Sequence, residues 1–278
     1  MSRFLASRLL ACFVLAAPAV AQDYPSRAVR VIIPLAPGAA ADTLPRVIGE
    51  KLSKRFGQPF VFENRPGASL NLGSEFVAKA EPDGYTLLAA PPPPVTINQF
   101  LFSNLRFDPS AFTPVSLIAA VPNVLVANIN APFLTLAEFV AYSKANPDKV
   151  NYASAGVGAT NHLAMEWFKS VSGAQAAHTP YAAGLAPALN DVLAGHVTMM
   201  FNNQPNVLQL VRDGKLKALG VDSEKRGAAL PNVPAIAEAY PGFIVTTWFS
   251  FVAPPKTPPE IARKLSSAIA EEIGRAHV

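Results

Sequence analysis

Val29-Arg30-Val31-Ile32-Ile33, then Pro34-Leu35-Ala36-Pro37-Gly38-Ala39-Ala40-Ala41-Asp42, then Leu44, Val47, Ile48 and Leu52 form the stretch from which the fold class is read. The first run is β-branched and strand-like, the second is a turn of small residues, and the third recurs at helical spacing with Arg46, Glu50, Lys51 and Lys54 on other faces. A strand, a tight loop and an amphipathic helix in succession make one βα unit. Repeated units of this kind build parallel sheets with crossover helices, hence an α/β fold.

The alternation continues outward. Phe60-Val61-Phe62 reads as a strand ended by Asn64-Arg65-Pro66-Gly67, and a helix is expected over 73–80, stopped by Pro82-Asp83-Gly84. The strand over 85–90 runs into Pro91-Pro92-Pro93-Pro94, where an extended, stiff loop is expected because proline has no N–H for a ladder. Residues 112–128 are apolar with a break at Pro122, which predicts two strands in sequence and the passage between two lobes. Thr135 with Glu138 predicts a capping box and a helix to about Asn146. Further strands are expected over 150–155, 178–181, 197–201 and 216–221, with helices over 161–171, 186–194 and 205–212. The β-like run 243–251 returns the chain, and Thr257, Pro258 and Glu260 open a helix with Ile261, Leu265 and Ile269 on one face. The expected organisation is one lobe over 22–121 and 243–278, a second over 122–242, and a cleft between them at the carboxyl ends of the strands.

The N-terminal residues bear on compartment. Arg3 and Arg8 precede an apolar run of about a dozen residues over 9–20, the size of a signal h-region and too short to span a bilayer. Ala19-Val20-Ala21 supplies a small-x-small cleavage pattern, so residues 1–21 are expected to be a removed signal peptide and the product periplasmic. The single cysteine, Cys12, comes too early in that run for a lipoprotein box, and its loss leaves no thiol. The 23 basic and 19 acidic residues are scattered without a basic stripe, which argues against nucleic acid, and no later apolar run suggests a membrane span. At the other end, residues 272–278 back-translate into a string shared with a common sequencing adapter, so a truncated gene with a foreign tail is expected.

Two loops carry the chemistry. In the first, Ala36, Pro37, Gly38 and Ala39 let the backbone approach a ligand, and the helix start near Asp42 attracts anions. In the second, Ser154-Ala155-Gly156-Val157-Gly158-Ala159-Thr160-Asn161, the glycines free the backbone while Ser154, Thr160 and Asn161 offer hydrogen bonds or caps. Neutral donors without bulky neighbours suit a carboxylate. His162, one turn into the helix, is a cap, a packing residue or a ligand donor; Asn202-Asn203 supplies polar contacts at a strand end or caps the next helix. Enzyme readings are weaker. Gly156-x-Gly158 lacks the third glycine of a dinucleotide fingerprint, Tyr152-Ala153-Ser154-Ala155-Gly156 lacks the first glycine of a nucleophile elbow, and the four histidines have no metal-like spacing. A binding protein without cofactor is expected; a sensor accessory of a two-component system and an α/β hydrolase or dehydrogenase are the alternatives.

Asn64-Arg65-Pro66-Gly67, Pro82-Asp83-Gly84-Tyr85-Thr86-Leu87, Asn151-Tyr152-Ala153-Ser154 with Gly156 and Gly158, Thr179-Pro180-Tyr181, Ala186-Pro187-Ala188-Leu189 and Leu230-Pro231-Asn232-Val233-Pro234 occur in one family's order. The chain resembles the Bug-type periplasmic substrate-binding receptors of tripartite tricarboxylate transporters from Tyr24 to about Glu271. The resemblance implies a two-lobed type II periplasmic-binding fold with a hinged cleft. It further implies a monomer that captures a small carboxylate (a di- or tricarboxylate, or an aromatic or amino acid) for a membrane permease with large and small subunits. By position, the resemblance places ligand contacts at Ala36, Pro37, Gly38, Ala39 and Asp42, at Ser154, Ala155, Gly158, Ala159, Thr160 and His162, and at Tyr181 and Asn202 facing the cleft. Pro93 belongs to a proline run that replaces a Ser/Gly-rich loop near the cleft. Ser69-Leu70 stands where the family commonly has glycines, and Asn202 where it often has aspartate.

Overall fold

The computed structural model describes residues 23–38, 40–181 and 184–274. The expected signal peptide over 1–21, Ala39, Ala182, Ala183 and the last four residues of the expected foreign tail lie outside the described residues. In chain order the elements are β1 (Val29–Ile33), α1 (Ala40–Phe56), β2 (Phe60–Asn64), α2 (Asn71–Ala78), β3 (Thr86–Ala90), α3 (Asn98–Leu101) and β4 (Thr113–Asn128). They continue with α4 (Leu136–Ala145), β5 (Asn151–Ser154), α5 (Thr160–Ser172), β6 (Ala177–Pro180), α6 (Leu185–Ala194) and β7 (Met199–Asn203). The last are α7 (Gln204–Arg212), β8 (Leu216–Val221), β9 (Thr246–Ala253) and α8 (Pro259–Gly274).

The strands run β2-β1-β3-β9-β4-β7-β5-β6, with β8 also on β4. β1, β2 and β3 are parallel, as are β5, β6 and β7, so each half holds a βα core joined through antiparallel β4 and β9. Side-chain alternation puts Val31, Leu87 and Phe251 into one core with Leu265 and Ile269 of α8, while Ile32, Leu88 and Val252 pack on the other face with Val77 of α2. The second half repeats the plan. Leu125, Tyr152 and Phe201 pack with Phe139 and Phe168 on one side, and Val124, Ala153 and Met200 with Val192 and Val207 on the other.

Residues 112–128 form one 16-residue strand from Thr113, where the sequence suggests two. Pro122 does not break it because it sits at a change of partner: up to Pro122 the strand pairs with β9, and from Asn123 it pairs with β7 and β8. A residue without an N–H costs little where one ladder ends. The chain thus crosses between halves twice side by side, outward at Asn123 and back at Thr246, opposite Pro122.

The four prolines also differ from the extended loop expected of them. Pro92 is helical (φ −52°, ψ −42°), and Pro93–Ile97 forms a wide helical turn leading into α3. The proline ring fixes φ near the helical value, and the first turn of a helix needs no N–H donors, so the run that cannot pair in a sheet starts a helix instead.

Candidate ligand-binding site

A cavity lies between the halves. Three helices open onto it: Ala41 of α1, Thr160 and Asn161 of α5, and Leu185 and Ala186 of α6 all line it from first turns. α5 is preceded by Ala159 and α6 by Gly184, and neither residue supplies a side-chain cap. First-turn N–H groups lack a backbone partner within their own helix and carry the positive end of its dipole, so the cavity wall attracts an anion without a cation. In α5 the His162 N–H is already taken by Asn161 Oδ1 at 3.1 Å.

The polar floor lies where the chain crosses. Asn123 Oδ1 accepts from Asn203 Nδ2 (2.7 Å) and from the Thr247 hydroxyl (3.1 Å), and all three residues line the cavity. Asn123 is fixed from behind: its Nδ2 and its backbone N–H each donate to the buried Asp222 carboxylate at 2.6 Å. Burial raises the Asp222 pKa to about 7, against the two hydrogen bonds from Asn123 that lower it.

The 154–162 loop is braced by two adjacent imidazoles, tilted 37° to one another. Ser154, wholly buried, has its Oγ 2.6 Å from His178 Nε2 and accepts from Gly156 N–H at 3.0 Å. Gly158 N–H donates to His162 Nδ1 at 3.3 Å, and the two histidine rings lie 4.2 Å apart. Burial lowers both histidines' pKa values, that of His178 to about 4 with help from His162, so both rings are neutral near pH 7. Asn161 Oδ1 accepts from Ala155 N–H (3.3 Å), closing the turn onto the helix.

Of the sequence-derived candidates, Ala36, Pro37, Pro93, Ala155, Ala159 and Thr160 line the cavity. Gly38, Asp42, Ser154, Gly158 and His162 sit in the same two loops but act inside them. Asp42 holds Gly38 N–H, Arg46 and Asn64; burial pushes its carboxyl up, and those hydrogen bonds outweigh burial and hold it below the usual range. Two candidates lie elsewhere. Asn202 is on the opposite face of β7 from Asn203, where its Oδ1 accepts from Asn206, and strand alternation makes Asn203 the residue at the cavity. The Tyr181 hydroxyl donates to Asp191 at 2.5 Å and its ring packs on the α6 side of the sheet. Sequence reasoning missed Asn123, Thr247, Phe249, Gly184, Leu185 and Leu70 as lining residues. The departure at Ser69-Leu70 was the one local signal among them.

That departure has a conformational cost. Ala68, Ser69 and Leu70 are all left-handed, with φ of 49°, 53° and 74°. Each non-glycine residue there costs roughly 1–2 kcal/mol. Asn98 holds the turn through hydrogen bonds to Ser69 O (2.9 Å) and Asn71 Oδ1 (2.7 Å), and Ser74 Oγ donates to Leu70 O (2.8 Å).

A family model described as the tripartite tricarboxylate transporter family receptor matches residues 44–275. The chain belongs to that receptor family. The receptor is 36% identical to Protein BugT of Bordetella pertussis over 98% of its own length and 85% of that protein's. Among solved structures, an R. palustris protein with adipate is 36% identical with a TM-score of 0.85, covering 89% of the receptor and 83% of that chain. MatC from Rhodopseudomonas palustris, with bound malate, is 34% identical with a TM-score of 0.84 over 89% and 85% of the two chains. An ancestral arginine-binding protein, at 11% identity and a TM-score of 0.52, shares the fold alone. The receptor has the two-lobed α/β architecture of periplasmic binding proteins. Among the described residues no helix is long and apolar enough to cross a membrane, and no group of three or more metal-ligating side chains comes together.

Proposed function

We propose that the receptor captures a small carboxylate in the cavity between its lobes and closes on it as a monomer. The first lobe is built from 22–121 and 243–278, the second from 122–242, and the hinge lies at the paired crossings near Asn123 and Thr246. The carrying observation is the set of three helix starts around a cavity lined by no charged side chain among the described residues. Such a wall holds an anion through backbone N–H groups rather than an ion pair. The adipate and malate in the related structures fit the same chemistry. The ligand then passes to a membrane permease with large and small subunits, after export directed by residues 1–21. The role is binding: Ser154 and His178, a pair with a nucleophile's residue types, are engaged in bracing the loop.

A thermal-shift screen of the purified protein with di- and tricarboxylates, aromatic acids, amino acids, sugars and nucleotides tests this. A ligand at about a hundredfold over Kd adds roughly 2.7 kcal/mol of stability, an easily measured shift. The expected result is a shift confined to carboxylates. A shift given by sugars or nucleotides and by no acid would overturn the proposal.

A further inference from the structure

The cavity's chemistry divides into a polar floor and an apolar wall, and the wall discriminates among acids. Leu35, Leu70, Pro91, Pro93, Leu185 and Phe249 contribute apolar surface from both lobes. The floor is neutral, and its groups are largely engaged with one another: both Asn123 polar atoms are taken, and Asn203 and Thr247 each spend a donor on it. Behind it lies the Asp222 carboxyl. The helix starts can hold a ligand's acid group, but a further carboxylate reaching the apolar wall would find no donor there, and one reaching the floor would meet engaged groups with the Asp222 carboxyl behind them. Each buried charge left without donors carries a heavy desolvation cost.

Leu70 is the wall residue the fold holds at a conformational cost. It follows two other left-handed residues at φ 74°, ψ −2°, a conformation glycine adopts without strain. The turn is fastened by Asn98 and Ser74 rather than relaxed. Strain maintained by surrounding hydrogen bonds at a cavity wall points to a use for the side chain. Glycine would ease the backbone and remove the apolar surface.

We infer that Leu70 is a specificity-determining residue and that the cleft takes a monocarboxylate with an apolar body rather than a compact polyanion. This rests on the carboxylate-receptor reading and narrows it.

The test measures Kd by titration calorimetry for benzoate, cyclohexanecarboxylate, malate and citrate, with the parent protein and with Leu70→Gly, Leu70→Ala and Leu70→Met. Circular dichroism checks that each variant keeps the fold. The parent should bind an apolar acid more tightly than malate or citrate. Leu70→Gly and Leu70→Ala should weaken the apolar acids by about tenfold or more and change malate by less than about threefold, while Leu70→Met retains the parent's order. Tighter binding of malate or citrate by the parent, or apolar-acid affinity unmoved in both truncations, overturns the inference and leaves the carboxylate receptor standing. No binding of any acid, with a response to sugars or nucleotides in the screen above, overturns both.

Discussion

Asp222 has no exposed surface, and its neighbours supply hydrogen bonds but no cation. Its pKa is raised to about 7 in the folded chain, chiefly by burial, against an ordinary value near 4 in the unfolded one. Between those values the native state binds more protons than the unfolded state, so this group's contribution to stability falls as pH rises from about 4 through 7. His178 acts oppositely: with its folded pKa lowered to about 4, stability is gained as pH rises from there toward its ordinary value near 6.5. Asp222→Asn removes the first dependence and keeps the second. The melting temperature of the parent minus that of Asp222→Asn should therefore decline steadily from pH 4 to 7; parallel curves would refute the assignment. The same residue scale explains Asn202 and Asn203. Adjacent asparagines in a strand face opposite ways, and the choice between them belongs to the sheet.

At the scale of elements, α4 shows a helix start written in four residues. Thr135 Oγ1 accepts from Glu138 N–H at 3.2 Å, and the Glu138 carboxylate accepts from Leu134 N–H at 2.7 Å, one residue earlier than a capping box places it. Thr135→Ala should cost about 1 kcal/mol of stability. A fall in the urea midpoint with an unchanged slope is the expected measurement, and an unmoved midpoint would show that the cap is idle. Such elements were legible because their signals are local. β4 was not: Pro122 reads as a breaker until β9 on one side and β7 and β8 on the other are seen to exchange there. The proline run misled for the same reason, since a residue unfit for a ladder is equally fit to begin a helical turn.

At the scale of the molecule, the two lobes meet at Gly158. A side chain begun there would place its Cβ 2.5 Å from Leu101 Cδ1 and 3.5 Å from Asn98 Oδ1, both from the other lobe, and at φ +83°. The glycine's role is thus close approach between the lobes. The end of Leu101 can swing aside for a single methyl; the branched side chain of valine needs more room and is strained at this φ. Gly158→Val should weaken carboxylate binding by more than about tenfold while the far-ultraviolet dichroism is kept, and adding Leu101→Ala should recover part of the loss. Equal affinities in Gly158→Val and the parent would mean that the lobes need not approach there for binding.

The alternation of strands and helices, the α/β class, the family resemblance and the two small-residue loops are all readable along the chain. Each depends on periodicity, turn chemistry or spacing within a few residues. The tertiary structure alone decided which loop residues face the cavity. It joined Asn123, Asn203, Thr247 and Asp222 into one floor, and it brought the start of α6 beside those of α1 and α5. Those groups are far apart along the chain, and only the pairing of β4 with β7, β8 and β9 makes them neighbours.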